Sequence, residues 1–171
     1  MDRVLGVDPG VSETGWAVLQ AGQGAPILVA SGCIRTSPRT PLPERLKTIH
    51  RALGDVFRRH APGSMAVEEM FFVKVAHTVR ATLQARGVVL LAAADAGVEV
   101  REYNPRQVKM ALTGSGAAPK AQMIRMTQAA LNLKEPLHPD DTADAAAIAL
   151  CHLRAGRSRG LRVLARVGAP R

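Results

Sequence analysis

The stretch that decides the fold lies at the N-terminus: Arg-Val-Leu-Gly-Val-Asp-Pro-Gly, residues 3–10. A short apolar run stopped by Pro-Gly predicts a buried strand over Arg3–Asp8. Thr14–Gln20 predicts a second strand after a brief break, and Ile27–Ile34 predicts a third. Strands joined by such short connections favour antiparallel hairpins, so the chain is expected to open with a three-stranded meander.

Helices and strands alternate in the rest of the chain. The hydrophobic spacing predicts a helix at Glu44–His60, a strand at Ser64–Phe71, a helix at Thr78–Ala96, a strand at Val98–Tyr103, and three further helices at 104–112, 119–131 and 140–153. A meander followed by crossover connections indicates a mixed five-stranded sheet flanked by helices. The predicted fold class is therefore α/β.

Charge and length limit what the chain can be. It has 171 residues and a mass of 18.2 kDa, which suits one domain. The net charge of +9 indicates a polyanionic partner, with nucleic acid first. No acid follows Asp144, and the last residues are rich in Gly and Arg. We therefore predict a domain over 1–155 and a mobile basic tail over 156–171, which serves either as a phosphate-binding arm or as a solubilising end.

Several classes of protein are excluded by composition. Cys33 and Cys151 are too few for a disulfide framework or a four-cysteine zinc site. The apolar runs are far shorter than the ~18 residues that span a bilayer. The N-terminus shows no basic segment followed by an apolar one, so no signal peptide is expected. We predict a soluble, cytoplasmic protein that does not bind membranes.

Acidic residues cluster at three places in this basic chain. Asp8 ends the first strand, Glu68 and Glu69 end the fourth, and Asp141 and Asp144 lie three residues apart at the start of the last helix. That last spacing places both carboxylates on one helix face. Strand alternation allows only one of the two glutamates to face a given side, and the alternation alone does not select which.

Each acid also has a structural interpretation. Asp8 suits a turn before Pro-Gly. Asp140 suits an N-cap, and acids in the first helical turn favour the helix dipole. Taken as a set, a strand-end Asp, a strand-end Glu and an Asp-x-x-Asp helix form the oxygen-ligand group that Mg²⁺ or Mn²⁺ prefers. Two such ions about 4 Å apart can activate a water and stabilise a leaving oxygen in phosphoryl transfer. The sequence therefore predicts a metal-dependent nuclease.

The chain resembles the RuvC family of Holliday-junction resolvases, which have a ribonuclease H-like fold. The residues that carry the resemblance follow the family order: Leu5 to Gly10 with Thr14-Gly15, Ser31 to Thr36, Ala66 to Glu68 with Phe71, Gln84 to Gly87, Tyr103 with Arg106 to Lys109, Gly114 and Gly116 with Lys120, and Asp141 to Ala145 with Ile148-Ala149. They extend to about residue 152. The resemblance implies a structure-specific endonuclease that resolves Holliday junctions by paired symmetric nicks, in recombination and repair.

The resemblance also assigns roles to residues. It implies that the metal-binding carboxylates are Asp8, Glu68, Asp141 and Asp144, with two Mg²⁺ or Mn²⁺ ions per site. This selects Glu68 over Glu69. Lys109 and Lys120 fall on family lysines near the scissile phosphate, where compact cations neutralise transition-state charge; the alternative is a solvated helix face.

Five residues are predicted to contact DNA. Phe71 matches an aromatic residue that stacks on bases, worth ~1–3 kcal/mol per base; its alternative is a core Phe beside Phe72. Lys74, Arg106 and the two lysines are the other predicted DNA-binding residues.

Partners follow from the symmetry of the substrate. A four-way junction has near two-fold symmetry, so the resemblance implies a homodimer that supplies two active sites. The apolar face of helix 78–96, with small residues at 92–94, suits either that interface or packing on the sheet. A branch-migration motor complex is implied by the family alone.

Two alternatives to a junction resolvase remain at this level. The first is another ribonuclease H-like nuclease that acts on RNA or RNA–DNA hybrid. The second is a non-catalytic junction-binding protein whose acids are caps and turns. An actin-like sugar kinase shares the Asp-x-Gly motif, but it is excluded because this chain lacks a second nucleotide-binding half.

Overall fold

A computed structural model describes the backbone of residues 3–69 and 77–167, and the side chains of residues 3–69 and 80–156. The strands are β1 (Arg3–Asp8), β2 (Glu13–Gln20), β3 (Ile27–Arg35), β4 (Ser64–Glu68) and β5 (Glu99–Tyr103). The helices are α1 (Leu42–His60), α2 (His77–Asp95), α3 (Pro105–Thr113), α4 (Lys120–Ala130) and α5 (Asp140–Val167). None of the helices in this described part of the chain is long and apolar enough to cross a membrane.

The five strands form one mixed sheet in the order β3-β2-β1-β4-β5. The first three are antiparallel neighbours, which confirms the predicted opening meander. Strands β4 and β5 run parallel to β1, with Val7 opposite Val67 and Glu68 opposite Tyr103. The α/β prediction of a mixed five-stranded sheet is confirmed, and the ends of β1 and β4 meet at one edge.

Two apolar layers cover the sheet. Leu5 and Val7 point towards α1 and α2, where they pack with residues such as Leu53 and Val89. Val4 and Ala66 face the other way, towards α3, α4 and α5. Alternation along the strands therefore separates the helices into two layers, and every even-numbered position of β1 faces α5.

Helix α5 lies unusually close to the sheet. An ideal Cβ built on Gly6 would lie 2.0 Å from the carbonyl oxygen of Ala145 and 2.9 Å from Cβ of Ala149. Only a glycine on the strand, opposite alanines on the helix, allows this approach. The small alanine side chains of α5 therefore allow the helix to pack close to the sheet. This close packing determines where its acidic first turn lies.

Element boundaries differ from the predictions at several places, mostly by one or two residues. Strand β4 ends at Glu68 rather than Phe71, and residues 70–76 lie outside the described part. Pro119 is the N-cap of α4 rather than its first helical residue. Helix α5 continues to Val167 instead of ending at Leu153, because the Leu, Ala and Arg content of this segment favours helix despite two glycines. The domain boundary at 155 and the mobility of the tail stay predictions.

Candidate active site

Asp8 and Glu68 are delivered to one place by the sheet. They end two parallel neighbouring strands, one residue beyond the paired Val7 and Val67. Both continue the row of side chains that faces α5, because Gly6 and Ala66 lie on that face. Glu69 follows the strand, and its backbone N–H donates to the carbonyl of Tyr103 at 2.8 Å. Geometry thus separates the two glutamates where alternation in the sequence could not.

The first turn of α5 is fixed against the β2–β3 hairpin. An ideal Cβ on Gly15 would lie 2.0 Å from the carbonyl oxygen of Asp141, so the helix end contacts the bare strand backbone. The hydroxyl of Thr142 donates to the carbonyl of Gly32 at 3.3 Å. These contacts place Asp141 and Asp144 opposite the end of β1.

Asp140 does not serve as the N-cap that the sequence suggested. Helix α5 begins at Asp140 itself, and the backbone N–H of Thr142 donates to Pro139 at 2.9 Å. The Asp140 carboxylate instead accepts from Lys120 Nζ at 3.1 Å. This acid therefore helps to anchor a lysine beside the site.

The four carboxylates repel one another. Burial, followed by repulsion from the other three acids, raises the pKa of Asp8 to about 7. Burial and then Asp144 raise the pKa of Glu68. Burial is likewise the largest cause of the raised pKa values of Asp141 and Asp144. Acids gathered against their mutual repulsion, in partly buried surroundings, are typical of functional sites, and their carboxylate oxygens could hold a cation.

Two lysines lie at this group of acids. Lys120 Nζ is 3.4 Å from Asp144 Oδ2 as well as 3.1 Å from Asp140 Oδ2. Lys109 lowers the pKa of Glu68, against the larger effect of burial. A cavity of about 240 Å³ lies between them, and it is lined by Glu68, Asp144, Lys109, Lys120, Met123 and neighbouring apolar residues of α3 and α5. The predicted lysines and two of the predicted acids therefore share one cavity.

Three predicted DNA-binding residues remain, namely Arg106, Phe71 and Lys74. Arg106 does not line this cavity; its side chain borders separate grooves with Met110. Phe71 and Lys74 lie outside the described residues. Arg106 is therefore not a partner of the carboxylates, and the DNA contacts assigned to all three stay predictions.

Sequence reasoning missed a residue that contacts the site. Glu13, at the start of β2, has a carboxylate oxygen within 4.8 Å of ligand atoms of both Cys33 and Asp141. Arg35 Nε donates to Glu13 Oε1 at 2.9 Å, and this lowers the pKa of Glu13. No local sequence motif marks this residue, because its position depends on the β2–β3 register, which pairs Glu13 with Arg35.

The donors suit a divalent cation of the Mg²⁺ or Mn²⁺ type. They are carboxylate oxygens from Asp8, Glu68, Asp141 and Asp144, and hard oxygen ligands select these ions. Among the described residues, no three of these four acids have ligand atoms all within 4.8 Å of one another. A cation bound between these acids would offset their mutual repulsion.

Comparison with known proteins agrees with this geometry. Residues 4–152 match the family described as "Crossover junction endodeoxyribonuclease RuvC". A protein of that name from Desulforamulus reducens is 43% identical over 160 residues, covering 94% of this chain and 98% of its own. A second, from Moorella thermoacetica, is 46% identical over 149 residues, covering 87% and 89% of the two chains.

A solved structure extends the likeness to three dimensions. The structure described as "T. thermophilus RuvC in complex with Holliday junction substrate" superposes with a TM-score of 0.87 at 39% identity. The match covers 92% of this chain and 96% of that one. The fold is thereby the ribonuclease H-like fold that the resemblance implied. The chain belongs to the RuvC family of crossover junction endodeoxyribonucleases.

Proposed function

We propose that this protein is a divalent-metal-dependent endonuclease that resolves Holliday junctions by paired symmetric nicks. The observation that carries the proposal is the convergence of Asp8 and Glu68, from two parallel strands, with the acidic first turn of α5. Turn and cap roles account for single acids, but they do not account for four mutually repelling acids gathered at one edge. The basic surroundings supply attraction for the DNA backbone.

The metal ligands in this proposal are Asp8, Glu68, Asp141 and Asp144. They hold two Mg²⁺ or Mn²⁺ ions, which supply charge neutralisation at phosphate and lower the pKa of water. The protein holds these carboxylates at the ends of two paired strands and in the first turn of α5. Gly6 and Gly15 allow α5 to pack directly against the sheet. We therefore expect the backbone of the site to change little when the ions bind.

Lys109 and Lys120 are proposed to stabilise the negative charge that develops on the phosphate. Changing either lysine to Ala is expected to lower the cleavage rate about 10²-fold, the usual cost of a lost charge-stabilising donor. The stability should change by less than ~1 kcal/mol, because Lys120 is 56% exposed and its ion pairs are solvated. Single-turnover cleavage and thermal unfolding, measured on the same preparations, check both expectations.

Lys47→Ala is the matched control for the lysines. Lys47 pairs with Glu44 on α1, in the layer on the opposite face of the sheet. Its loss should leave the cleavage rate within about two-fold. A Lys120→Ala protein that unfolds, or that cleaves at the rate of the control, would show that the lysine is only structural or solvated.

Dimerisation is proposed through helix α2. Its residues Ala92 and Ala93 are buried against the sheet, so part of the small-residue stripe serves the monomer core. Leu83 is 40% and Leu91 is 54% exposed, and Gly87 shares their side of the helix. A second copy related by a two-fold axis would cover the exposed surface formed by Leu83, Gly87 and Leu91. Such a dimer would bring two active sites to one junction.

Replacing Leu91 by Asp should convert a dimer to a monomer. A charge placed in the centre of an apolar interface loses its hydration and gains no partner. We therefore expect the dissociation constant of the dimer to rise by at least about 10²-fold. Light scattering with size-exclusion chromatography at micromolar concentration measures it. Met110→Asp is the control, since Met110 is equally exposed on α3. A dimeric Leu91→Asp protein would exclude this interface.

The main alternative is a ribonuclease H-like nuclease of RNA or RNA–DNA hybrid. Binding competition separates the two: a labelled four-way junction is challenged with unlabelled junction, linear duplex and hybrid in Ca²⁺. We expect the unlabelled junction to compete at least about 10²-fold better than either linear competitor. Equal competition by hybrid would favour the alternative.

Two wider aspects of the role follow from family membership. Junction resolution follows branch migration, so a branch-migration motor complex is the proposed partner. The proposed compartment is the cytoplasm. The basic residues beyond 156 are proposed to contact the phosphate backbone of the junction arms.

A further inference from the structure

The outer side of the carboxylate site carries an ion pair that the proposed metal ligands do not include. Glu13 opens β2, Arg35 ends β3, and the two residues are opposite each other in the antiparallel register. Arg35 Nε lies 2.9 Å from Glu13 Oε1. The sheet thus holds the two backbones opposite each other, while the paired side chains of Arg35 and Glu13 are 64% and 43% exposed.

Glu13 also lies against Asp141. Its carboxylate, the Asp141 carboxylate and the Cys33 thiol have ligand atoms within 4.8 Å of one another, and all three residues are half-buried. The backbone on the Asp141 side is held as well, by the close contact at Gly15 and by the hydrogen bond from Thr142 to Gly32. Glu13 is therefore placed beside a proposed metal ligand, while Arg35 contacts Glu13 from the other strand.

We propose that Glu13 and Arg35 act electrostatically on the carboxylate site through Asp141: each residue alone changes the affinity of the site for its divalent cation, and in the intact pair the two effects offset each other. The proposal rests on the proposed function, because it takes Asp141 as a ligand. Glu13 adds a negative charge beside Asp141, and Arg35 offsets that charge. Glu13 and Arg35 together carry no net charge. The effect of each residue on cation affinity is therefore offset by the other.

The signs of the single substitutions follow from this arrangement. Glu13→Gln leaves Arg35 uncompensated beside the site, which weakens cation binding. Arg35→Gln leaves Glu13 uncompensated, which strengthens it. A unit charge about 6–13 Å from a divalent ion, at a water-like dielectric constant of about 80, changes the affinity for the ion by about three- to ten-fold. The double substitution restores neutrality and is expected to lie within about two-fold of the wild type.

Mn²⁺ binding to the intact, DNA-free protein tests the proposal. Electron paramagnetic resonance of free Mn²⁺ gives the dissociation constant without any cleavage. We expect about a three- to ten-fold higher constant for Glu13→Gln, a similarly lower one for Arg35→Gln, and recovery in the double variant. Glu13→Asp, which keeps the charge, should lie close to the wild type.

A second ion pair provides the control. Asp55 and Arg58 pair on α1, in the layer on the opposite face of the sheet from α5. Asp55→Asn and Arg58→Gln change the net charge by the same amounts as Glu13→Gln and Arg35→Gln. These controls should alter Mn²⁺ affinity by less than two-fold, so that a general effect of net charge is separated from a local one.

The outcomes distinguish this proposal from the proposed function. If the wild type binds Mn²⁺ and Asp8→Asn weakens binding, but Glu13→Gln and Arg35→Gln match their controls or shift in the same direction, the pair has no such role and the metal site stands. If the wild type binds no Mn²⁺, both proposals are overturned. Circular dichroism of each variant confirms that the fold is retained.

Discussion

Replacing Asp8 by Asn is expected to abolish junction cleavage while junction binding is retained. Asp8 ends the central strand of the site, and its charge is coupled to those of the other three acids. Loss of an outer partner of a metal site costs ~10–100-fold. Loss of a direct ligand should exceed that and bring cleavage below detection. Single-turnover cleavage in Mg²⁺ and electrophoretic binding in Ca²⁺ measure the two properties separately.

The matched control for this change is Asp55→Asn, the same substitution on the surface of α1. It should cleave junctions at the wild-type rate. Asn retains the size of the Asp8 side chain and removes only its charge, so a loss of binding or of folding is not expected. An Asp8→Asn protein that still produces paired nicks would contradict the assignment of the site.

The metal-free protein is expected to lose stability as pH rises from about 4 to 7. In the folded protein the pKa of Asp8 is about 7, against an ordinary value of 3.8. Between those values the folded state holds a proton that the unfolded state has released, so the free energy of unfolding falls with pH and levels off above 7. The Asp8 contribution is roughly 4 kcal/mol at most, since each pKa unit is worth about 1.36 kcal/mol.

Thermal unfolding in EDTA between pH 4 and 8 measures this loss, and the difference between the wild type and Asp8→Asn isolates the Asp8 contribution. Asn cannot ionise, so Asp8→Asn should be the more stable of the two at pH 8. Mg²⁺ should stabilise the wild type at pH 8, because an ion bound only by the folded state shifts the unfolding equilibrium. A wild type that is no less stable than Asp8→Asn at pH 8 in EDTA would contradict the crowding of charge at Asp8.

The sequence predicted those parts of the fold that depend on local pattern. The apolar run at Arg3–Asp8, its stop at Pro9 and the two strands that follow specify the meander, and the structure confirms it. Helix α1 is confirmed, although it begins at Leu42, two residues before the predicted start, with Pro43 in its first turn, where proline is tolerated. Metal ligation by the four acids stays a prediction, although the structure brings them to one edge.

Features that depend on register and close packing could not be predicted from residue types. The contact of Glu13 with Asp141 requires the β2–β3 register and the approach of α5 at Gly15, neither of which is encoded by a local motif. The choice between Glu68 and Glu69 needed either the family resemblance or the parallel pairing of β1 with β4. Likewise, Arg106 lies three residues from Lys109, yet it borders a different groove.

The most direct test of the account is cleavage of a synthetic four-way junction with fixed arms and a mobile core, beside linear duplex and RNA–DNA hybrid, in Mg²⁺, Mn²⁺ or EDTA. The account predicts paired symmetric nicks that appear only in the junction, require the divalent ion, and leave 5′-phosphate and 3′-hydroxyl ends. Junction binding without nicks in either metal would contradict it, and Asp8, Glu68, Asp141 and Asp144 would then have structural roles alone.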